Sequence, residues 1–288
     1  MSGDIFADQP ANPDLLAEIY DLEHDAIVED LVFYREMARR TPGPCLDLGC
    51  GSGRLFGSLL AGGADPLVGV DGSPALGQRA TARITEQPEL RAARDSGRLR
   101  TIIGDVRRLD GVLPADAPRF RLAVAAGVLP HLDGPEEAIQ FLSGVARRLT
   151  PDGVLVLDDL GPGLLPQRDL PLSVDWRGEL RGMRVVRRSQ LARREAPEGL
   201  RVLFSTLVDL GRPDGTIARL PSSHRLWYPS QRVLAELVRE AGLAVELTYG
   251  SHDLEPLDGS SDRQIMVVRR IRASAAGGEH GRQRRGER

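Results

Sequence analysis

The chain has 288 residues and a formal net charge of −3, with 41% hydrophobic and 27% charged residues. These values fit one large globular domain, or a core with an insertion, and weigh against nucleic acid as the main partner. No apolar run is long enough for a membrane helix, so we expect no membrane partner and a cytoplasmic location. All 38 basic residues counted as Lys and Arg are Arg, which excludes a lysine nucleophile.

The first third of the chain changes from helices to alternating strands and helices. Apolar residues at helical spacing predict two helices between Asp14 and Arg40, preceded by about a dozen frayed residues. The residues 41–44, Thr-Pro-Gly-Pro, end the second helix. Strands follow at 44–48, 66–71, 99–103, 121–126 and 154–157, with helices at 54–60, 74–84 and 135–149.

Short apolar strands that alternate with helices over residues 44–160 predict a parallel, doubly wound α/β sheet. Residues 161–228 break the pattern, because alternating or β-branched residues at 183–194, 200–210 and 216–227 predict an antiparallel insertion. Ligands of such sheets bind beyond the carboxyl ends of the parallel strands. The insertion is therefore expected to lie over that end of the sheet.

The last part of the chain completes the sheet. Ser230 is the predicted N-cap of a helix that ends near Ala241, and strands at 243–249 and 264–270 are expected to form an antiparallel pair. The core therefore resumes over residues 229–272 and reaches seven strands. Residues 273–288 are low in complexity and charged, which predicts a disordered tail.

A glycine loop, CLDLGCGSGRL at residues 45–55, follows the first strand of the sheet. Its glycines let the backbone approach a ligand closely. Their spacing is G-x-G-x-G with an acid upstream, which differs from the G-x-G-x-x-G of dinucleotide sites. Cys45 and Cys50 lie in this stretch, where core packing and cofactor contact are more natural than a disulfide. The ligand-binding candidates of the loop are Asp47, Gly49, Cys50, Gly51 and Gly53.

Three further strand ends carry residues suited to a nucleoside. Asp71 ends the second strand, ahead of Gly72 and Ser73, and its carboxylate suits a ribose diol. Asp105, followed by Val106, comes after the third strand and can accept a hydrogen bond from an exocyclic amine. After the fourth strand, Ala126 and Gly127 leave room for the reacting end of a ligand.

This combination resembles the class I S-adenosylmethionine-dependent methyltransferases, since DLGCGSG, VGVDGS and GDV match their first three motifs. The resemblance implies a Rossmann-like seven-stranded sheet with an antiparallel last strand, and S-adenosyl-L-methionine as the cofactor. It implies that Asp47 and the loop from Gly49 to Gly53 line the methionine and ribose end. Asp71 would bind the ribose hydroxyls, and Asp105 with Val106 would bind adenine.

A narrower resemblance comes from YDLEHDAIVEDLVFY and YGSHDLEPL, which are similar to small-molecule methyltransferases of bacterial natural-product and antibiotic pathways, including aminosugar N-methyltransferases. It implies that residues 1–43 form a helical lid, with Tyr20 and Tyr34 as lid contacts. It also implies that residues 161–228 shape the acceptor pocket. The segment AAGVLPHL lacks the Asn/Asp-Pro-Pro-Tyr motif of enzymes that methylate bases or a glutamine amide. We expect methyl transfer to O or N of a small molecule, with a homodimer left open.

His131 is the first candidate for a general base, because it follows the fourth strand and has a suitable intrinsic pKa. His224 is the second, and His24 and His252 are weaker; a packing histidine, or one with a satisfied hydrogen-bond partner, is the alternative for each. His280 belongs to the tail. The acceptor-wall candidates are His131, His224, Trp176, Trp227 and Tyr228, with core packing as the alternative for the tryptophans.

Other interpretations remain open at this point. Asp158 and Asp159 could bind a divalent metal, but no third ligand is evident and strand-end acids are commoner, so no metal is predicted. The arginine-rich run 177–194 is either a solvated strand face or a contact for an anionic acceptor. An NAD(P)-dependent oxidoreductase, or a catalytically silent cofactor-binding subunit, are the alternative functions.

Overall fold

The computed structural model describes residues 12–271. The predictions for residues 1–11 and 273–288, including His280, lie outside this range. The helices are α1 (Pro13–His24), α2 (Glu29–Arg40), α3 (Phe56–Ala61), α4 (Pro74–Glu86), α5 (Pro88–Asp95), α6 (Leu109–Val112), α7 (Pro135–Arg148) and α8 (Gln231–Glu240). The strands are β1 (Gly43–Leu48), β2 (Ala64–Asp71), β3 (Leu99–Ile103), β4 (Phe120–Ala126), β5 (Leu149–Leu160), β6 (Leu170–Leu180), β7 (Met183–Ala196), β8 (Gly199–Gly211), β9 (Ile217–Pro229), β10 (Leu243–Tyr249) and β11 (Arg263–Arg270).

The central sheet has seven strands in the order β10-β11-β5-β4-β1-β2-β3. Strands β1 to β5 are parallel to one another, while β11 lies antiparallel between β5 and β10. The chain order reverses between β1 and β4, so ligands are expected at the carboxyl ends near that point. The predicted doubly wound sheet with an antiparallel last strand is confirmed.

Both faces of the sheet are buried, and β5 shows the alternation clearly. Its Leu155 and Leu157 pack in the core under α7 and α8, whereas Val154 and Val156 pack in the core under α2 and α3. Successive side chains of a strand point to opposite faces, so the side chains of Asp158 and Asp159, which follow on β5, also point to opposite faces of the sheet.

The insertion is a separate antiparallel sheet of four strands, β6-β7-β8-β9. The sequence predicted three of them and missed β6, because nearly all of its side chains are exposed and it shows little apolar alternation. Helix α5 was also missed: it is eight residues long and buries only Leu90 and Ala93. Both elements lack the buried stripe on which pattern recognition depends.

Helix α1 bridges the insertion and the core. Its acidic residues, together with Asp25 just after its last turn, form ion pairs with arginines on β7, on the turn before β7 and on α4. The pairs are Glu18–Arg181, Glu23–Arg187, Asp21–Arg79 and Asp25–Arg83. Within residues 12–271, no helix is both long and apolar enough to cross a membrane.

Candidate functional site

The glycine loop passes over the ends of β1 and β2. Gly49, Gly51 and Gly53 have φ values of 66°, 55° and 78°, a region that favours glycine. The Gly49 N–H donates to the carbonyl of Val70, at 2.8 Å. A Cβ at Gly49 would lie 2.7 Å from Val128 Cγ2, so the loop also fits closely against the segment after β4.

Cys50 sits in this loop as a packing residue. A Cβ on Gly69 would lie 2.9 Å from its Sγ, which shows how closely the thiol packs on β2. Burial raises the pKa of Cys50 well above its usual value, so the thiol stays neutral. That Cys50 is a loop position near a cofactor and not a nucleophile stays a prediction.

Asp71 is held rigidly at the end of β2. Its Oδ2 accepts from the Gly51 N–H at 2.8 Å, and its Oδ1 accepts from the Ser73 N–H at 2.7 Å, across Gly72. Burial raises its pKa, and these two hydrogen bonds offset only part of that effect. A carboxylate oxygen can accept a second hydrogen bond, so both oxygens can still receive a pair of hydroxyl groups.

Asp47 lies deeper, and it is only 2% exposed. Within the part of the chain that the structure describes, its Oδ2 has no hydrogen-bond partner. Burial and the nearby Asp71 raise its pKa to about 7, against the lowering effect of Arg54. A buried acceptor without a partner is costly, so the geometry fits a ligand that brings a donor to this carboxyl.

The N-terminal helices cover the loop. The Tyr20 hydroxyl lies 3.6 Å from where a Cβ of Gly51 would be, and burial raises its pKa to about 12. The phenol is therefore a neutral hydrogen-bond donor. Arg54, just after the loop, forms a two-pronged ion pair with Asp30 on α2. Sequence reasoning missed this pair, since nothing in the pattern joins residues so far apart.

Asp105 follows β3 but is not a free carboxylate. Arg107 Nε contacts both of its oxygens, at 2.8 and 3.0 Å, and Arg107 also pairs with Glu137 on α7. Although partial burial favours the neutral acid, Arg107 lowers the pKa of Asp105 below its ordinary value. Val106 packs partly buried against the core beside it.

Ala126 and Gly127 open the site at the end of β4. Gly127 has a φ of 68°, and a Cβ built there meets nothing within 4 Å. Its N–H donates to the Asp158 carbonyl at 2.8 Å, which fixes this open position beside the end of β5.

His131 and His224 come together beyond that opening. His131 ends a short 3-10 turn after β4, His224 lies on β9, and their ring centroids are 6.2 Å apart and nearly perpendicular. Desolvation and the proximity of His224 lower the pKa of His131 to about 4. Desolvation also lowers the pKa of His224. Both rings are therefore neutral at pH 7 and can accept hydrogen bonds.

The aromatic residues predicted for the acceptor wall separate into two groups. Tyr228 is partly buried on the same face of β9 as His224, because four residues separate them. Trp227 points the other way and is only 1% exposed, in the core with α7 and α8. Trp176 packs against the small core of Ile19 under α1. The structure thus places Trp227 in the core, which is the alternative given for it above, and packs Trp176 against α1.

The structure also contradicts the prediction that Tyr34 is a lid contact. It is 0% exposed and donates its hydroxyl to Asp158, instead of covering the cofactor loop. Asp158 also contacts His252 Nε2 at 2.8 Å and two nitrogens of Arg263 at 2.8 and 2.5 Å. Burial alone would raise the pKa of Asp158, but His252 and Arg263 outweigh it and lower the pKa. Asp158 is therefore the centre of a buried polar cluster that sequence reasoning did not foresee.

The arginine-rich run of β6 and β7 contains several ion pairs. Arg187 contacts Glu23 and Asp175, and Arg188 contacts Asp209 on β8. These arginines stabilise the insertion and its contact with α1. The side chains farther along the run, Arg193 and Arg194, line a groove of about 370 Å3 beside Leu132.

Comparison with known proteins agrees with the resemblance to methyltransferases drawn from the sequence motifs. Residues 22–248 match the family model described as "Methyltransferase domain". None of the curated proteins compared with the chain matches it.

Solved structures share the fold at low sequence identity. CcbJ methyltransferase from Streptomyces caelestis is 19% identical with a TM-score of 0.64, covering 85% of this chain and 89% of its own. Streptomyces venezuelae DesVI is 19% identical with a TM-score of 0.66, covering 89% and 98%. SAM-bound CalS10, an amino pentose methyltransferase from Micromonospora echinaspora, is 20% identical with a TM-score of 0.61, covering 88% and 97%. Because the family model spans most of the chain and the sheet has the matching architecture, this chain belongs to the methyltransferase-domain family.

Proposed function

We propose that the protein transfers a methyl group from S-adenosylmethionine to a nitrogen or oxygen atom of a small-molecule acceptor in natural-product biosynthesis. The observation that carries this proposal is the pair of carboxyl groups at the glycine loop. Asp71 is oriented by two backbone N–H groups, and Asp47 keeps one buried oxygen without a hydrogen-bond partner among residues 12–271. A cationic nucleoside that brings hydroxyl and amino donors suits both, whereas the pyrophosphate of NAD(P) would face two acids.

The cofactor residues then have distinct roles. Bound S-adenosylmethionine supplies a methyl group on a positively charged sulfur, which is already activated for displacement. Asp71 accepts hydrogen bonds from the ribose hydroxyls, and Asp47 accepts one from the amino group of the methionine part. Tyr20 covers the loop, while Asp105 and Val106 lie at the adenine end. Accurate positioning of this kind can contribute up to about 7–11 kcal/mol to a displacement.

The acceptor side lies between the ends of β4 and β5 and the insertion. His131 and His224 face each other there, and Tyr228 lies farther along β9. We assign the segment up to residue 43 to the lid and residues 161–228 to acceptor binding. Support comes from α1, whose ion pairs join the insertion to the core. The proposed acceptor is a small molecule rather than nucleic acid. The proposed location is the cytoplasm, and the protein acts as a monomer or as a homodimer.

A ligand comparison tests the cofactor. S-adenosylhomocysteine is expected to raise the melting temperature of the purified protein, and NAD is expected to leave it unchanged. Stabilisation by NAD alone would favour the oxidoreductase. With labelled S-adenosylmethionine and a pool of producer-strain metabolites, transfer of label supports the enzyme, whereas cofactor binding with no transfer would favour a silent subunit.

Replacing His131 by alanine is expected to lower turnover at least tenfold while S-adenosylhomocysteine affinity stays within about twofold. The imidazole lies at the acceptor side of the open Gly127, away from the carboxyl groups of the loop. Because its pKa is lowered to about 4, the wild-type ring stays neutral from pH 5 upward and gives no acidic limb near pH 6.5. Initial rates measure turnover, and calorimetric titration measures the affinity for S-adenosylhomocysteine.

The matched control is Glu136→Ala, on the exposed first turn of α7, which should change neither quantity. Full turnover in the His131 variant would remove this residue from the reaction.

A further inference from the structure

A groove on the insertion sheet lies outside the residues assigned so far to cofactor or acceptor. It has a volume of about 370 Å3 and is lined by β7, β8 and β9, together with Leu132 and Asp133 just before α7. Its one acid, Asp133, is outnumbered by the arginines in the lining, which are Arg193, Arg194, Arg201 and Arg225. The groove therefore carries an excess of positive charge.

The register of the insertion sheet places three of these arginines on one face with Trp227. Arg194 lies opposite Arg201 across β7 and β8, and Arg201 lies opposite Trp227 across β8 and β9. Arg225 is two residues before Trp227, so its side chain is on the same face. Neighbouring strands are about 4.8 Å apart and alternate residues about 7 Å apart, so these long side chains can converge on one small ion.

This face of β9 is the one turned away from the catalytic candidates. His224 directly precedes Arg225, so its side chain is on the opposite face, where it meets His131. The short turn that carries His131 packs against β9, which is the edge strand of the insertion sheet. A molecule in the groove is therefore separated from His224 by β9 itself, and it is a ligand other than the methyl acceptor.

Trp227 gives the groove a buried hydrogen-bond donor. Although it belongs to the lining, it is only 1% exposed, and its Nε1 has no hydrogen-bond partner among residues 12–271. An indole N–H can donate but not accept, so it needs an acceptor atom in the groove. Because a buried donor without a partner is costly, the groove fits a ligand that brings acceptor oxygens.

The protein neutralises the arginines of this face only in part. Arg201 contacts Glu198 at 3.1 Å and Asp133 at 3.7 Å. Arg194 and Arg225 are exposed, and neither forms an ion pair within residues 12–271. Guanidinium groups that share a face repel one another, and their forked N–H donors match the oxygens of phosphate and carboxylate groups. An anion between them would remove the repulsion.

We propose that this groove binds a small oxyanion with two or more negative charges, carried by a phosphate- or carboxylate-bearing molecule other than the methyl acceptor. Its oxygens accept hydrogen bonds from the Trp227 indole and from the guanidinium groups of Arg194 and Arg225. An uncharged molecule would satisfy the indole but leave the arginines without a counter-ion. The inference does not depend on methyl transfer, because the groove lies on the other side of β9 from the histidines.

The tryptophans give the experiment a local readout. The chain has two of them, Trp176 and Trp227, so isotope-labelled indoles give two N–H signals in a magnetic resonance spectrum, and Trp176→Phe assigns them. The full chain is titrated with pyrophosphate and, separately, with malonate, each at constant ionic strength. At least one anion is expected to move the Trp227 signal and leave the Trp176 signal in place. The anion that binds more tightly distinguishes a phosphate ligand from a carboxylate ligand.

Replacing Arg225 by glutamine is expected to weaken the binding of that anion at least about tenfold, because a charge-assisted hydrogen bond is lost. Arg194→Gln should act in the same direction. The matched control is Arg100→Gln, an exposed arginine on β3, which changes the net charge equally but lies on the central sheet. This control should leave the affinity unchanged, as measured by calorimetric titration.

Three results would overturn the proposal. The first is a Trp227 signal that neither anion moves. The second is an unchanged affinity in both Arg225→Gln and Arg194→Gln, and the third is an equal loss in Arg225→Gln and Arg100→Gln, which would show a general effect of charge. These measurements need no cofactor, so failure of the protein to bind S-adenosylhomocysteine would count against the proposed function alone.

Discussion

Asp71→Ala is expected to weaken S-adenosylhomocysteine binding at least about 100-fold. Two hydrogen bonds from ribose hydroxyls to a carboxylate would be lost, and each is worth about 1.5–3 kcal/mol. The change also removes the acceptor of the Gly51 and Ser73 N–H groups, so the loop itself loses its anchor. Isothermal titration of the purified variant measures the affinity.

The control for Asp71 is Asp65→Ala in the same strand. Asp65 is exposed at the beginning of β2, where it pairs with Arg98, and it lies at the opposite end from the loop. Its replacement should leave the affinity for S-adenosylhomocysteine unchanged. Equal affinities of the two variants would show that Asp71 does not touch the ribose.

Asp158→Ala is expected to destabilise the protein by about 3 kcal/mol, which lowers the melting temperature by about 6–12 °C. Three donors then lose their acceptor: the hydroxyl of Tyr34, the ring of His252 and the guanidinium of Arg263. The expected loss of stability lies at the lower end of the range for breaking a buried ion pair, because the side chains of Arg263 and His252 keep some contact with water. Urea unfolding at pH 7 measures the loss.

The dependence on pH gives this prediction a second readout. The folded-state pKa of Asp158 is lowered from 3.8, so its contribution is complete above that value and is lost as the pH falls through the lowered pKa. Wild type and Asp158→Ala should therefore differ fully at pH 7 and converge in strong acid. Glu36→Ala, which removes a carboxylate with two arginine partners on the surface of α2, should change stability little. A comparable loss in both variants would argue against the buried cluster.

The sequence predicts well those parts of the molecule that depend on neighbours along the chain. The glycine loop and the Ser230 cap of α8 are local patterns, and each lies where expected. Alternating strands and helices likewise predicted the sheet and its antiparallel last pair.

The contacts between side chains could not be predicted from the sequence, because they depend on how segments that are distant along the chain come together in the fold. Tyr34 and Asp158 are separated by 124 positions, and no spacing rule connects them. The sequence also did not decide to which face of β9 each aromatic side chain points. Trp227 and Tyr228 are adjacent, and only the register of β9 determines which of them enters the core. From the sequence, Asp159 was considered only as a metal ligand. Only the three-dimensional structure shows that its Oδ1 has no hydrogen-bond partner within residues 12–271.

The position of β11 has a consequence for how the protein is made. This strand lies between β5 and β10, yet it is the last of the central strands to leave the ribosome. A nascent chain can assemble the five parallel strands early, but the acid at the end of β5 then waits for Arg263 to arrive about a hundred residues later. Vectorial synthesis thus delays the pairing of the Asp158 carboxylate with Arg263 until nearly the whole chain has emerged. Chains stalled before β11 would keep a buried Asp158 carboxylate without its arginine partner.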